Sequence, residues 1–311
     1  MVIRAYQPAD LASLVALLQR QENHVLTLES FAESERHREA DAPIWRVVLE
    51  AESTVLGMAE LSVRPSTPIG WRDMKIIVAA DADAERQGYG QALLTALLFE
   101  TERQALIGLE TLVRDTNEGS RAWLERRGFV FDFHRFESEL DLRTFNASAF
   151  SDAVSRVQAQ NIRFANRTEL GSEVDLQKLH ALDNRLFLDT PDAPGRTPLS
   201  FEQFKRLITA NPQITPESVL VALDDQQPIG MTIIMREDNS FYTGMTGVIR
   251  EYRGLGIALA LKLLSIQYAL EAGAVRMTTH NHSKNAPMIA VNAKLGYQQK
   301  TGLWVLKRQL Q

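Results

Sequence analysis

This sequence predicts a mixed α/β fold built twice along one chain, and three observations carry that prediction. Its motifs recur at a fixed interval, its strand-length apolar runs outnumber its helical ones, and its composition suffices for two cores. The chain has 311 residues, 45% of them hydrophobic and 23% charged. That length suggests two domains of ordinary size and excludes a disordered polypeptide.

The repeat is the strongest signal. The stretch ERQGYGQALLTALL (85–98) resembles RGLGIALALKLL (253–264) when Gly88 is laid on Gly256, an offset of 256 − 88 = 168 residues. The same offset carries Asn117 onto Asn285 and Gly128 onto Gly296, and lays ERRGF (125–129) over AKLGY (293–297). Nearer the start of each half the register shifts. There VIRAYQPAD (2–10) pairs with NIRFANRTE (161–169), and VLGMAE (55–60) with PIGMTI (228–233). Three landmarks at one ungapped offset mark a tandem duplication. The expected organisation is a first domain over 1–145, a linker over 146–157 and a second domain over 158–311.

Each half reads in the same order. A short strand (2–6; 161–165) leads into an amphipathic helix (9–21; 168–182), and a variable stretch follows. Strands are then expected at 44–51, 54–64, 218–223 and 228–236. A further strand (74–79; 241–248) precedes the glycine loop and its helix. One more strand (110–114; 274–280), a short helix (117–127; 284–294) and closing strands (129–141; 297–309) complete the pattern. Only some strands alternate with helices, so the sheet is mixed and not doubly wound. In the helix after the second loop, Ile257, Leu261, Leu264 and Tyr268 recur at helical spacing, with Gly273 as its stop. Ser200 and Gln203 form a capping box for another helix.

Composition narrows the function classes. A net charge of −5 argues against nucleic acid as the main partner. The absence of cysteine removes disulfides, thiolate zinc sites and cysteine nucleophiles. The N-terminus lacks a secretory h-region, and no apolar run reaches membrane-spanning length. The expected protein is cytoplasmic, with no nucleic-acid or membrane partner.

REYRGLGIALALK (250–262) poses the functional question. A dinucleotide fingerprint needs a third small residue, where Leu93 and Leu259 stand, and a phosphate loop needs Gly-Lys-Ser/Thr, which is missing. A glycine turn at a helix N-terminus survives. It either cradles a pyrophosphate on unpaired amides or simply packs against neighbouring strands.

VIREYRGLGIA (248–258) resembles the acyl-CoA signature of the GNAT N-acyltransferase superfamily, a strand ending in valine and then Arg/Gln-x-x-Gly-x-Gly/Ala. TTHNHSKNAPMIAVNAKLGY (278–297) resembles its later motif, and ERQGYG (85–90) with NEGSRAWLERRGF (117–129) repeats the pair. The layout is similar to tandem acetyltransferases of the mycothiol synthase type. The resemblance implies two tandem domains, each a mostly antiparallel central sheet flanked by helices. It also implies acetyl-CoA as acyl donor and a small primary amine as acceptor that attacks the thioester directly.

By that resemblance, Val248, Arg253, Gly254, Leu255, Gly256, Ile257, Ala258 and Asn285 bind the cofactor in the second half. Arg86, Gln87, Gly88, Tyr89, Gly90 and Asn117 are their counterparts in the first. The backbone N–H of Thr246 polarises the thioester carbonyl. The family's tyrosine acid is replaced by Asn292 in the second half and Leu124 in the first, and Glu85 replaces the signature arginine, so the second half is the expected catalytic one. Candidate proton acceptors are His280 and Glu237, with Glu60 an ambiguous strand carboxylate in the first half. His280 and His282 lie on one side of a strand, but a third ligand is not visible at metal spacing, so no metal is expected. In FLDTPDAPGRTPLS (187–200), Asp189 and Asp192 are either surface-loop residues or the recognisers of a cationic amine. A monomer, as a pseudo-dimer of halves, or a homodimer would suit the duplication. A CoA-binding regulatory module without turnover is the alternative function.

Overall fold

The computed structural model describes residues 1–19, 27–29, 31, 44–63, 67–79, 87–170, 173–191 and 193–310. Arg86, Asp192 and Glu85 lie outside the described residues.

The elements follow the expected order. The first half contains β1 (Val2–Ala5), α1 (Leu11–Gln19), β2 (Trp45–Ala51), β3 (Thr54–Ser62) and β4 (Trp71–Val78). It continues with α2 (Tyr89–Arg103), β5 (Gly108–Arg114), α3 (Glu118–Glu125) and β6 (Val130–Asp141). The stretch between the halves carries α4 (Ala153–Gln158), whose Ala153 and Val157 are buried. The second half contains β7 (Ile162–Asn166), α5 (Arg167–Leu170), α6 (Glu173–Leu188), α7 (Phe201–Ala210), β8 (Val219–Asp224) and β9 (Gln227–Glu237). It ends with β10 (Ser240–Val248), α8 (Ile257–Glu271), β11 (Arg276–His282), α9 (Ala286–Lys294) and β12 (Gln298–Gln309).

Two compact units result, and neither is contiguous in sequence. The first comprises Met1–Val113, Asn117–Asp132 and Trp304–Gln311, and the second Arg114–Thr116 and Phe133–Leu303. Most of β6 therefore belongs to the second unit, while the end of β12 belongs to the first.

The first unit's strands run in the order β1-β2-β3-β4-β5-β12. The pairings β1–β2, β2–β3 and β3–β4 are antiparallel, and β4 meets β5 in parallel. Helix α2 covers one face, where Leu93, Leu94 and Leu97 pack on Val47, Ala59, Leu61 and Leu109. On the other face, Leu14, Leu17 and Leu18 of α1 pack on Met58 and Ile77. Period-2 strands turn successive residues to opposite helices, which is why both faces of β3 are apolar.

The second unit's strands run β6-β11-β10-β9-β8-β7, antiparallel except where β10 meets β11. One core joins α6, α7 and the start of α8 to β8 and β9, and another joins the rest of α8 to β6, β10 and β11. The Ser200–Gln203 capping box forms with both reciprocal bonds. Gly273 terminates α8 in the left-handed region at φ +76°.

The helix read at 168–182 is in fact two. Asn166 caps the short α5 through the Glu169 amide, and α6 runs on to Leu188 because Leu179, Leu182 and Leu186 keep a buried helical stripe going. Glu60 faces neither cleft nor water. It is buried and bound to Arg46, its partner in the β2–β3 ladder, with the Arg46 guanidinium 2.6 Å from its Oε2. The Tyr6 ring, 4.9 Å from that guanidinium, completes the enclosure.

Candidate active site

The site is built where strand β10 opens. β10 pairs with β11 only from Ser240 to Thr243, opposite Arg276–Thr279. A bulge between Thr243 and Met245 then shifts its register, and from Met245 to Val248 it pairs only with β9. Bulges bend a strand and end its pairing on one side. The result is a strand edge whose backbone groups are not taken by a neighbouring strand. The first unit shows the same opening: β4 pairs with β5 only through Trp71–Asp73.

The chain leaves the opened strand through the glycine loop. Gly254 (φ +83°) and Gly256 (φ +85°) both lie in the left-handed region, where a side chain is strained. A Cβ at Gly254 would meet nothing within 4 Å, so the backbone there faces open space. Gly256 is the N-cap of α8 and supplies no side-chain cap, which leaves the first helical amides, including those of Ile257 and Ala258, free for an anion. Gly88 repeats this as the αL N-cap of α2, between Gln87 and Tyr89. Gly90, just inside that helix, packs near Trp123.

Side chains pin the loop. Arg253 donates from Nε to the Val248 carbonyl (3.0 Å) and from its terminal nitrogen to Asp189 (2.8 Å). Arg250 binds the other Asp189 oxygen at 2.9 Å. Arg185 reaches Glu251, and Tyr252 donates to Asp224 at 2.5 Å. Asp189 thus has both oxygens engaged by the loop's arginines. Leu255 remains 40% exposed at the loop tip.

Asn117 and Asn285 cap α3 and α9, accepting from the Ser120 amide (2.9 Å) and the Met288 amide (3.4 Å). Capping alone explains an asparagine at both positions.

On the floor of the opening, the Thr246 hydroxyl lies 2.8 Å from that of Thr232, which donates to the Met245 carbonyl. Asn292 is buried in α9. Its amide donates to Asn281 at 2.7 Å, and Asn281 donates onward to Ser138. The Asn292 Oδ1 has no partner.

On the sheet face away from α8, His280 Nδ1 lies 3.2 Å from the Tyr242 hydroxyl. His280 is an exposed residue of β11, yet partial desolvation of its ring pushes the imidazole below its ordinary value, against the pull of Glu137, its ladder partner. Burial likewise raises Tyr242. Glu237 sits at the exposed end of β9, and partial burial together with Glu137 raises its carboxyl. His282, by contrast, is buried, stacks on Phe133 at 3.7 Å and accepts from the Lys284 amide. The sequence reading singled out neither Tyr242 nor Glu137. The signal for both was cross-strand pairing, which only the register of the sheet supplies.

An opened strand feeding a glycine-capped helix is an arrangement able to take an anionic, extended ligand along its backbone. The chain belongs to the acetyltransferase (GNAT) family, whose model matches it over residues 11–129 and again over 179–297. At family level its chemistry is acyl-CoA-dependent acetyl transfer, with acetyl-CoA as the cofactor. The chain resembles a crystal structure of a GCN5-related N-acetyltransferase from Sphaerobacter thermophilus, with TM-score 0.71, 15% identity and coverage of 99% of this chain and 95% of that one. It is also similar to a tandem GNAT protein from the clavulanic acid biosynthesis pathway, with TM-score 0.69, 18% identity and coverage of 99% and 97%. At these identities the likeness is one of fold. No curated protein matches the chain by sequence.

Proposed function

We propose that the second half is an N-acyltransferase site, moving an acyl group, acetyl first among them, from acyl-CoA to the primary amine of a small molecule. The observation that carries this reading is the open backbone of β10 running directly into the Gly254–Gly256 turn. The cofactor fits there because a Cβ at Gly254 would face empty space and the α8 amides have no cap.

Val248, Arg253, Gly254, Leu255, Gly256, Ile257 and Ala258 would hold the pyrophosphate and its approach, and the edge from Met245 to Val248 the arm. When bound, acetyl-CoA supplies an acyl thioester for direct attack by the acceptor amine. The Thr246 N–H stands on the opened edge as the donor for the carbonyl oxygen. The Asp189 clamp keeps the loop in place, so its cost in ordering is met before binding. His280, whose imidazole is pushed below its ordinary value by desolvation, is the group assigned to take the amine's proton, and Tyr242 orients it. Asn292 is held by Asn281 and cannot act as a phenol would, so solvent water serves the departing thiolate. Gln87, Gly88, Tyr89 and Gly90 mark a second copy of the cradle.

Isothermal titration of CoA tests the cradle. Gly256→Trp adds a bulky side chain at a left-handed position whose Cβ already lies 3.5 Å from Val157. CoA affinity should fall by about 100-fold or more, since loss of the amide contacts forfeits several charge-assisted bonds. Unchanged affinity would show the loop assignment to be wrong. The buried Asn292 favours one other reading, a CoA-binding regulatory module. Tight CoA retention with no thiol release across a panel of primary amines would select it.

A further inference from the structure

Helix α6 brings one more group to the opened strand, and what it implies rests on the acyl-transfer reading above. Leu186 of α6 covers Gly247 of β10, its methyl carbons 2.9 and 3.0 Å from where a Cβ would stand. Asp183 lies three residues before Leu186 and four after Leu179, in the same buried stripe. It is therefore about 5 Å along the helix from the contact with β10.

Asp183 is only 9% exposed, and among the described residues no hydrogen bond or salt bridge engages its carboxylate, with His180 the one charge that acts on it. Burial pushes its carboxyl up to about 6, and His180 opposes this only in part. His180 is otherwise engaged, with Nε2 2.7 Å from the Leu199 carbonyl. The neighbouring Asn184 Oδ1 is buried and also lacks a partner. Met231, Met235 and Glu237 of β9 alternate onto the face that carries Gly247 and Tyr242, and Met235 and Met245 are partly buried against the same core. An unpaired carboxylate in apolar surroundings costs stability. It is tolerated where a ligand brings the missing charge.

We propose that Asp183 binds the ammonium group of the acceptor, and that the acceptor is an alkylamine with no carboxylate beside its amine. The methionines suit the alkyl chain. An α-carboxylate would be placed among these apolar side chains, with Glu237 and Glu137 on the same face of the sheet.

The test uses n-butylamine and glycine as probes on the wild-type protein and on Asp183→Asn and Asp183→Glu. Melting curves without CoA come first. n-Butylamine should raise the wild-type melting temperature, Asp183→Asn should show no such rise, and Asp183→Glu should show part of it. In turnover, Asp183→Asn should raise the KM for n-butylamine about 100-fold, with the KM for acetyl-CoA unchanged. Glycine should neither stabilise the protein nor be acylated. Equal responses of wild type and Asp183→Asn to n-butylamine, or glycine acting as well as n-butylamine, would overturn the proposal. The melting curves decide it without any turnover, and CoA titration separately decides the transferase reading.

Discussion

Lys262 sits in the middle of α8, 1% exposed, and its Nζ has no hydrogen-bond partner among the described residues. The nearest compensation is the Tyr297 ring, 4.8 Å away. A cation over a ring face contributes about 2 kcal/mol at best, less than burial of an ammonium costs. Burial accordingly pushes the amine down to about 7 from 10.5. Between pH 7 and 10.5 the unfolded chain then binds more protons than the folded one, so stability rises with pH across that window. Below pH 7 the full penalty is present. Lys262→Met removes it, and should stabilise the protein by about 3–5 kcal/mol at pH 6 and by almost nothing near pH 10.5. Urea unfolding at the two pH values measures this. A gain of the same size at both would mean that the amine stays charged in the fold. The sequence reading singled out neither Lys262 nor Asp183 as a buried charge. Whether a partner reached them was not legible, because the side chains that could have done so lie far off in sequence.

Helix ends carry most of the chemistry, and each end uses a different device. α8 begins on Gly256 and leaves its amides free, whereas α9 begins on Asn285, whose side chain takes the Met288 amide. A self-capped terminus has less to offer a phosphate. Asn285→Ala should therefore cost about 1 kcal/mol of stability and leave CoA affinity unchanged. Thermal unfolding and CoA titration of the variant check both parts, and a tenfold loss of CoA affinity would place Asn285 in the cofactor site. Local signals made these elements readable in advance: the capping box at Ser200, the stop at Gly273, and the apolar spacing of α8. The bulge after Thr243 was not readable, although the opened edge depends on it. A bulge is a mismatch between two strands, and the sequence of one strand does not contain its partner's register. The clamp on Asp189 was hidden for a like reason, since Arg250 and Arg253 lie over sixty residues away.

At the scale of the molecule, each half's closing strand completes the unit built mainly by the other half. Leu140, from the first half, is buried with Met277 and Ile266 in the second unit. Leu306, from the second half, is fully buried with Leu93, Leu97 and Leu109 in the first. The internal repeat makes the two closing strands equivalent in pattern, so similarity alone does not say which sheet each one completes. Long-range pairing decides that, at a cost in loop closure that grows only slowly with length. Energetic consequences follow the unit and not the sequence. Leu306→Ala removes a fully buried side chain and should cost about 2–5 kcal/mol. The loss should appear as faster amide exchange in residues 89–103 of α2, almost two hundred positions upstream. Residues 201–210 of α7, whose Phe204 and Ile208 are buried in the second unit, should keep their protection. Faster exchange in α7 with α2 unaffected would mean that the closing strands are not exchanged in solution.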